Sequence, residues 1–435
     1  MKPSVTARLF SRTGILLGLL ICAITVSNIR LSKHFWQYSI ISDGRGYYAY
    51  LPAIFLYNDL HFGFYEQTDK EFTDAHNRAD YRATVNGKTV NKYFCGTALL
   101  QTPFFLAAKI SGAIAGDYSG YSKRYVAFMH LGALCWLGLG LFCLRKFLLR
   151  YHAAPLTATL ICLIILFGTN LFYYVVAEPM MSHVYSFALI SCFLLQSNKW
   201  MQEGKPMQLL SIAALLALIV LVRPVNGLIV LWLFVEAGSV QKLFSRIKES
   251  FQKPWSVICS ALLFTAILSI QPIIWKVQTG SFFIDAYGEE GFRFGTFHFF
   301  DFLFSYRKGL FVYVPLTLLA LVGLIPLYRE NKTKAIFIAL FLIVIIYILS
   351  SWWMWYYGGS FGPRVMIEYL PVFALLLFLC FNSLKKMVPR VSVAVITVLL
   401  VVFCQLQTLQ YRYEIIHWSE MNKEKYWEVF LQLKK

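Results

Sequence analysis

The chain has 435 residues, of which 58% are hydrophobic and only 14% charged. Soluble chains are about a quarter charged, so most of this surface must be hidden in lipid. Apolar runs recur from end to end without strand-like alternation, which excludes a β-barrel and predicts an all-α polytopic membrane protein. The formal charge of +18 is spread between those runs rather than along one stripe. That distribution speaks for membrane topology and against nucleic acid as a partner.

Lys2, Arg8 and Arg12 precede an apolar run at about 13–29. No small-x-small cleavage site follows, and Ile21 before Cys22 spoils a lipobox. This is an uncleaved first span with a cytoplasmic N-terminus. Further spans are predicted near 125–144, 155–176, 182–198, 208–222, 225–238, 255–275, 309–328, 335–351, 365–382 and 391–408, about eleven in all. Eight of the nine cysteines fall inside them and only Cys95 lies in a loop, so there is no disulfide framework.

The stretch 97–115 is also apolar, and charge decides its place. With it outside the membrane core, segments 1–12, 145–154, 199–207, 239–254, 329–334 and 383–390 are all cytoplasmic, with eighteen Lys/Arg against three acids. If it spanned, fifteen of those bases would lie outside, against the positive-inside bias. It is predicted to lie at the outer membrane surface, with Pro103 and Lys109 interrupting it. Eighteen of the 22 acids then fall on the outer side, sixteen in the loops 31–123 and 277–308 and the tail, with Glu178 and Glu368 at span ends. Chemistry belongs there. Residues 1–382 form one transmembrane region with interfacial helices near 47–60 and 97–115. Residues 383–435 add a last span and an outer amphipathic tail, where Tyr426, Trp427, Phe430 and Leu431 recur at helical spacing.

The outer side offers these candidates in chain order. Asp43, in SDGRGYYAYLPAIF, sits where a span end meets an interfacial helix; a plain helix-capping aspartate would stand there too. Lys92, in NKYFCGTALLQTPFF, precedes the second interfacial helix and suits an anionic lipid head. Glu178 and His183 are the ionisable residues of the turn AEPMMSHVYSFAL, and a carboxylate between two spans is a functional candidate. Their five-residue separation is not the i,i+4 spacing of helical metal ligands. Arg223-Pro224 separates two short spans, and an arginine at that depth either binds an anion or snorkels to headgroups. Arg307-Lys308 closes an aromatic loop. WWMWYYGGSFGPR brings Trp352, Trp355 and two glycine turns beside Arg364, which fits a shaped pocket better than a generic aromatic belt. No repeat relates the two halves of the chain, unlike inverted-repeat transporters.

Together these stretches resemble the GT-C superfamily of polyprenyl-phosphate-sugar glycosyltransferases. That superfamily includes the protein O-mannosyltransferases, the aminoarabinose transferase of lipid A and the RgtA/B/C/D-like membrane glycosyltransferases. In that family an acid opens the first outer loop, a lysine precedes a short interfacial helix, and a second acid sits in the second outer loop. Asp43, Lys92 and Glu178 are similar in order and topology. The paired Asp-Glu of the mannosyltransferases is Asp43-Gly44 here, and the proline-rich stretch after the lysine is Tyr93-Phe94-Cys95.

The resemblance implies an inverting transfer of a sugar from a polyprenyl-phosphate carrier to a glycan, lipid or protein acceptor, facing the outside of a bacterial inner membrane. Such a displacement needs a base for the acceptor hydroxyl and positive charge for the departing phosphate. Asp43 is the expected base and Glu178 the second carboxylate. Lys92, Arg223, Arg307, Lys308 and Arg364 are the expected phosphate clamp. Tyr47, His183, Trp352 and Trp355 are the expected sugar and lipid groove. The sequence requires no cofactor, although Asp43 and Glu178 could hold Ca²⁺ or Mg²⁺. The rival reading is a non-catalytic transporter or flippase of lipid-linked sugars.

Overall fold

The computed structural model describes residues 5–33, 35–72 and 80–433. Lys2 of the N-terminal basic cluster, part of the first long loop and Lys434 of the tail lie outside them. α1 (Val5–Ile29) leads into α2 (Ser42–Pro52), α3 (Tyr65–Phe72) and an antiparallel ribbon of β1 (Arg82–Val85) and β2 (Lys88–Asn91). Asn86 and Gly87 both take positive φ at its tip, the type I′ geometry that Asn-Gly supplies most readily. Then come α4 (Gly96–Ile114), α5 (Lys123–Arg150), α6 (Pro155–Phe167), α7 (Leu171–Ala177), α8 (Ser182–Glu203) and α9 (Pro206–Val222). α10 (Trp232–Ala237), α11 (Val240–Phe251), α12 (Pro254–Leu268), α13 (Ile270–Thr279) and α14 (Phe299–Phe304) follow. The chain ends with α15 (Leu310–Tyr313), α16 (Leu316–Leu321), α17 (Leu324–Glu330), α18 (Lys332–Ser350), α19 (Leu370–Ser383), α20 (Met387–Arg412) and α21 (Lys423–Glu428).

This is an all-α polytopic membrane architecture. Among the described residues seven helices are long and apolar enough to cross a membrane, and nine if α6–α7 (bent by 65°) and 224–251 (bent by 107°) each count once. The sequence pattern predicts about eleven, and the difference has physical causes. α8 carries His183, Ser186, Ser191, Asn198 and Lys199, but it is buried along most of its length against α5 and α9, where polar groups are sheltered from lipid. α9 has only 17 residues. The segment 309–328 is cut into three short helices around Pro315 and Gly323. A Cβ at Gly323 would sit 1.9 Å from the Leu376 carbonyl oxygen, so only glycine lets this kink rest on α19.

α4 meets the length and composition of a crossing helix, but its neighbours place it along only part of α5. Its first residue, Gly96, abuts the Leu221–Val222 backbone at the end of α9, with 2.3 Å between a built Cβ and the Leu221 carbonyl carbon. Trp136 Nε1 donates to the Leu100 carbonyl, and Phe104 covers Gly132. α4 therefore runs antiparallel to the first half of α5 and carries α2 on its flank.

The basic loops meet at one end of the bundle. There Arg150 pairs with Glu203, Tyr151 bonds Glu236, and Arg246 bonds the Met201 carbonyl. The long loops meet at the other. The tail folds back onto this loop-rich end, with Tyr426 buried against Tyr306 and Tyr313 and bonded by Gln407. Its helix is only the six residues of α21, so Trp427 and Leu431 stay half exposed.

Candidate functional site

A cavity of about 700 Å³ opens where the long loops converge. Asp43, Lys92, Arg223 and Arg364 all stand on its wall, with Tyr47, His183 and Trp352 beside them.

α2 begins abruptly after extended Ile41, which puts Asp43 in its first turn, where a carboxylate suits the helix dipole. Gly44 lets α2 rest on the tight turn after α7, since a Cβ there would meet Met180 at 3.0 Å. Gly46 does the same for Tyr93, whose ring a Cβ would strike at 2.2 Å. Asn91 fixes this approach from β2: its Nδ2 donates to the Gly46 carbonyl and its Oδ1 accepts from Tyr93 N–H. The Tyr93 hydroxyl then donates to Asp43 Oδ1 at 2.8 Å. The other oxygen of Asp43 accepts from the Arg364 guanidinium.

Arg364 is aimed by the loop before it. Gly362 takes φ +62°, and a Cβ there would meet Tyr313 at 2.9 Å, while Asn170 Nδ2 donates to the Phe361 carbonyl and Phe361 N–H to the Tyr174 hydroxyl. Burial is the largest influence on the Asp43 carboxyl and pushes its pKa up. Arg364, the Tyr93 hydroxyl, Lys92 and Arg223 together outweigh that and hold it below the usual aspartate range.

Arg223 ends α9 in an extended conformation, because Pro224 disfavours helix at the residue before it. Its Nη1 lies 3.0 Å from Glu368 Oε1, which also accepts from His183 Nδ1 at 3.1 Å. Glu368 is fully buried. Counting acids by side assigns it to the outer side, but it lies inside the bundle at the entry to α19. Lys92 Nζ pairs with Glu290 Oε1 at 3.2 Å, and this third pair is the most open to solvent.

Four expected residues stand apart from this cavity. Glu178 is buried in the turn after α7, within the electrostatic reach of Arg364, Arg30 and Asp43. Burial pushes its carboxyl above the usual range. Arg307 stacks over Tyr356 at 3.5 Å and donates to the Ser419 carbonyl. Lys308 is buried and donates to the carbonyls of Ser360 and Trp418. Both cations of the Arg-Lys pair thus bind the tail to the loop, because the tail returns across residues that the linear order leaves facing the membrane surface. Trp355 stacks on His298 instead of lining the groove.

Sequence reasoning passed over Glu368, Tyr93 and Glu290. The spacing of Arg364 and Glu368 at the start of a span was the available signal for the first. Nothing local marks the others. Among the described residues no group of three or more His, Cys, Asp or Glu comes together as a metal site. Each oxygen of Asp43 accepts one hydrogen bond, Oδ1 from Tyr93 and Oδ2 from Arg364.

Fold and cavity define a multi-pass membrane protein with a charged, aromatic pocket at its loop-rich end. No protein-family model and no curated protein matches the chain. In structure it is similar to the archaeal oligosaccharyltransferase AglB from Archaeoglobus fulgidus in complex with an inhibitory peptide and a dolichol-phosphate. The identity there is 14% and the TM-score 0.48, over 98% of this chain and 60% of that one. A second structure, the Archaeoglobus fulgidus oligosaccharyltransferase in complex with Zn and sulfate, matches at 14% identity and TM-score 0.47, over 96% of this chain and 57% of that one. The chain spans less than two thirds of the length of either.

Proposed function

We propose that the protein is a GT-C-type glycosyltransferase of a bacterial inner membrane. It moves a sugar from a polyprenyl-phosphate carrier to an extracytoplasmic glycan, lipid or protein. One observation carries the reading. An aspartate held ionised and three cations, Lys92, Arg223 and Arg364, share the wall of one cavity among apolar helices.

In the reaction the acceptor hydroxyl attacks the anomeric carbon while Asp43 takes its proton. The bond from that carbon to the phosphate oxygen breaks, and the electron pair leaves with the polyprenyl phosphate. Attack from the face opposite the phosphate inverts the anomeric configuration. Lys92, Arg223 and Arg364 stabilise the charge that builds on the departing phosphate, the role for which preorganised cations are best suited. Each of the three is already paired with a carboxylate. The donor phosphate takes the place of Glu290 on Lys92, the most exposed of these partners. Tyr47 and Trp352 present flat faces to the sugar or the prenyl chain, and the bilayer delivers the carrier. The basic loops at the opposite end set the orientation, with the cavity outward.

The test is transfer of labelled sugar from polyprenyl phosphate to cell-envelope acceptors in liposomes, for wild type, Asp43→Asn and Glu178→Gln. The expected result is transfer by wild type and loss of it in Asp43→Asn with donor binding kept. Movement of labelled lipid across the bilayer without any transfer would establish the flippase reading instead.

A further inference from the structure

A second cavity, of about 240 Å³, lies at the loop-rich ends of α1, α7 and α20, apart from the site described above. Its walls are mostly apolar, with Ile29, Val176 and Leu409 among them, yet Arg30 and Arg412 both line it. Arg30 Nε is buried without a hydrogen-bond partner. The Arg412 guanidinium lies 5.3 Å from the centre of the neighbouring Tyr413 ring. The two guanidinium groups repel one another, and no described carboxylate forms an ion pair with either. Glu178 interacts with Arg30 electrostatically and hydrogen-bonds to Tyr173. Two partly buried cations on a mostly apolar wall, neither in an ion pair with a described residue, leave positive charge that an anion would offset.

We infer that this cavity binds the phosphate head of a membrane lipid. Its volume equals roughly eight waters at ~30 Å³ each, room for a phosphate and its nearest methylenes but not for a whole lipid. The rest of the chain lies along the exposed apolar faces of α1 and α20, where Ile24 and Leu409 are about half exposed. Paired arginines fork onto phosphate oxygens, and basic pockets between membrane helices hold lipid headgroups in this way. This cavity would hold its lipid phosphate whether or not the protein transfers sugars. Tyr173 does connect the two regions, since it lines this cavity and hydrogen-bonds to Glu178.

The test is photolabelling of the full-length protein in nanodiscs with diazirine-bearing phosphatidylglycerol, phosphatidylcholine or polyprenyl phosphate, and mapping of the labelled peptides. Labelling around residues 25–30 or 405–412 by phosphatidylglycerol identifies a bilayer phospholipid as the occupant. Labelling there by polyprenyl phosphate alone identifies a carrier lipid. In either case Arg30→Gln/Arg412→Gln should reduce it by at least about tenfold, for two lost charge-assisted contacts. Thr25→Trp fills the cavity and keeps both charges, and it should abolish labelling as well. Equal labelling by phosphatidylcholine, or labelling that survives either variant, overturns the assignment.

Discussion

Asp43 and Arg364, 321 positions apart in the chain, form an ion pair on the wall of the large cavity, with 26% and 10% of their side chains exposed. The pair joins the first helix after α1 to the loop that enters α19. It also fixes the charge state of the expected base, because a cation beside a carboxylate favours its ionised form. The first prediction concerns this link. Arg364→Gln removes a cation that lowers the Asp43 pKa, so that pKa rises. The acid limb of the pH–rate profile for sugar transfer should therefore move to higher pH. A profile that falls in height but keeps its limb would mean that Asp43 is not the group titrating.

Glu290 pairs with Lys92 at 3.2 Å, with 36% of its side chain exposed. Exposed pairs of this kind are worth about 0–1 kcal/mol. Glu290→Gln should accordingly tighten donor binding by up to about fivefold and leave thermal stability unchanged. Titration of the purified protein with polyprenyl-phosphate sugar measures it.

Glu368 answers both Arg223 and His183 from a fully buried position. Glu368→Gln leaves Arg223 without its counter-charge, and breaking a buried pair from one side costs about 3–5 kcal/mol. The unfolding temperature in detergent should fall markedly. His183→Gln keeps the Arg223–Glu368 pair and should fall much less. Equal losses would show that the imidazole, not the guanidinium, is what Glu368 holds.

Lys308 gives a pH test. Burial, together with Arg364 and Arg307, pushes its pKa from 10.5 down to about 7. Between those values the unfolded chain binds more protons than the folded one, so stability should rise with pH across the interval. The contribution is fully present above 10.5 and lost as pH falls toward 7. Lys308→Met should flatten that slope, whatever its effect on the absolute unfolding temperature. A slope equal to wild type would place the titration elsewhere.

Much of this was legible before any coordinates. Hydrophobic runs and loop charge determine an all-α polytopic protein, because lipid leaves few other solutions for the backbone. Residue type and rank order also single out Asp43, Lys92, Arg223 and Arg364, which do line one cavity. Span count was less legible. Polar α8 is tolerated because the bundle, rather than lipid, surrounds it, and the broken segment 309–328 rests one side on α18 and α19.

Pairing is what only the tertiary structure decided. Composition marks Arg307 and Lys308 as candidate phosphate ligands as readily as Arg223, but the returning tail offers them carbonyls first. Glu368 looks like one more acid at the edge of a span until Arg223 and His183 close on it from α9 and α8. A charge in a sequence announces that something must neutralise it. Which partner does so depends on distances of a few ångströms between segments far apart in the chain, and those exist only once the helices have packed.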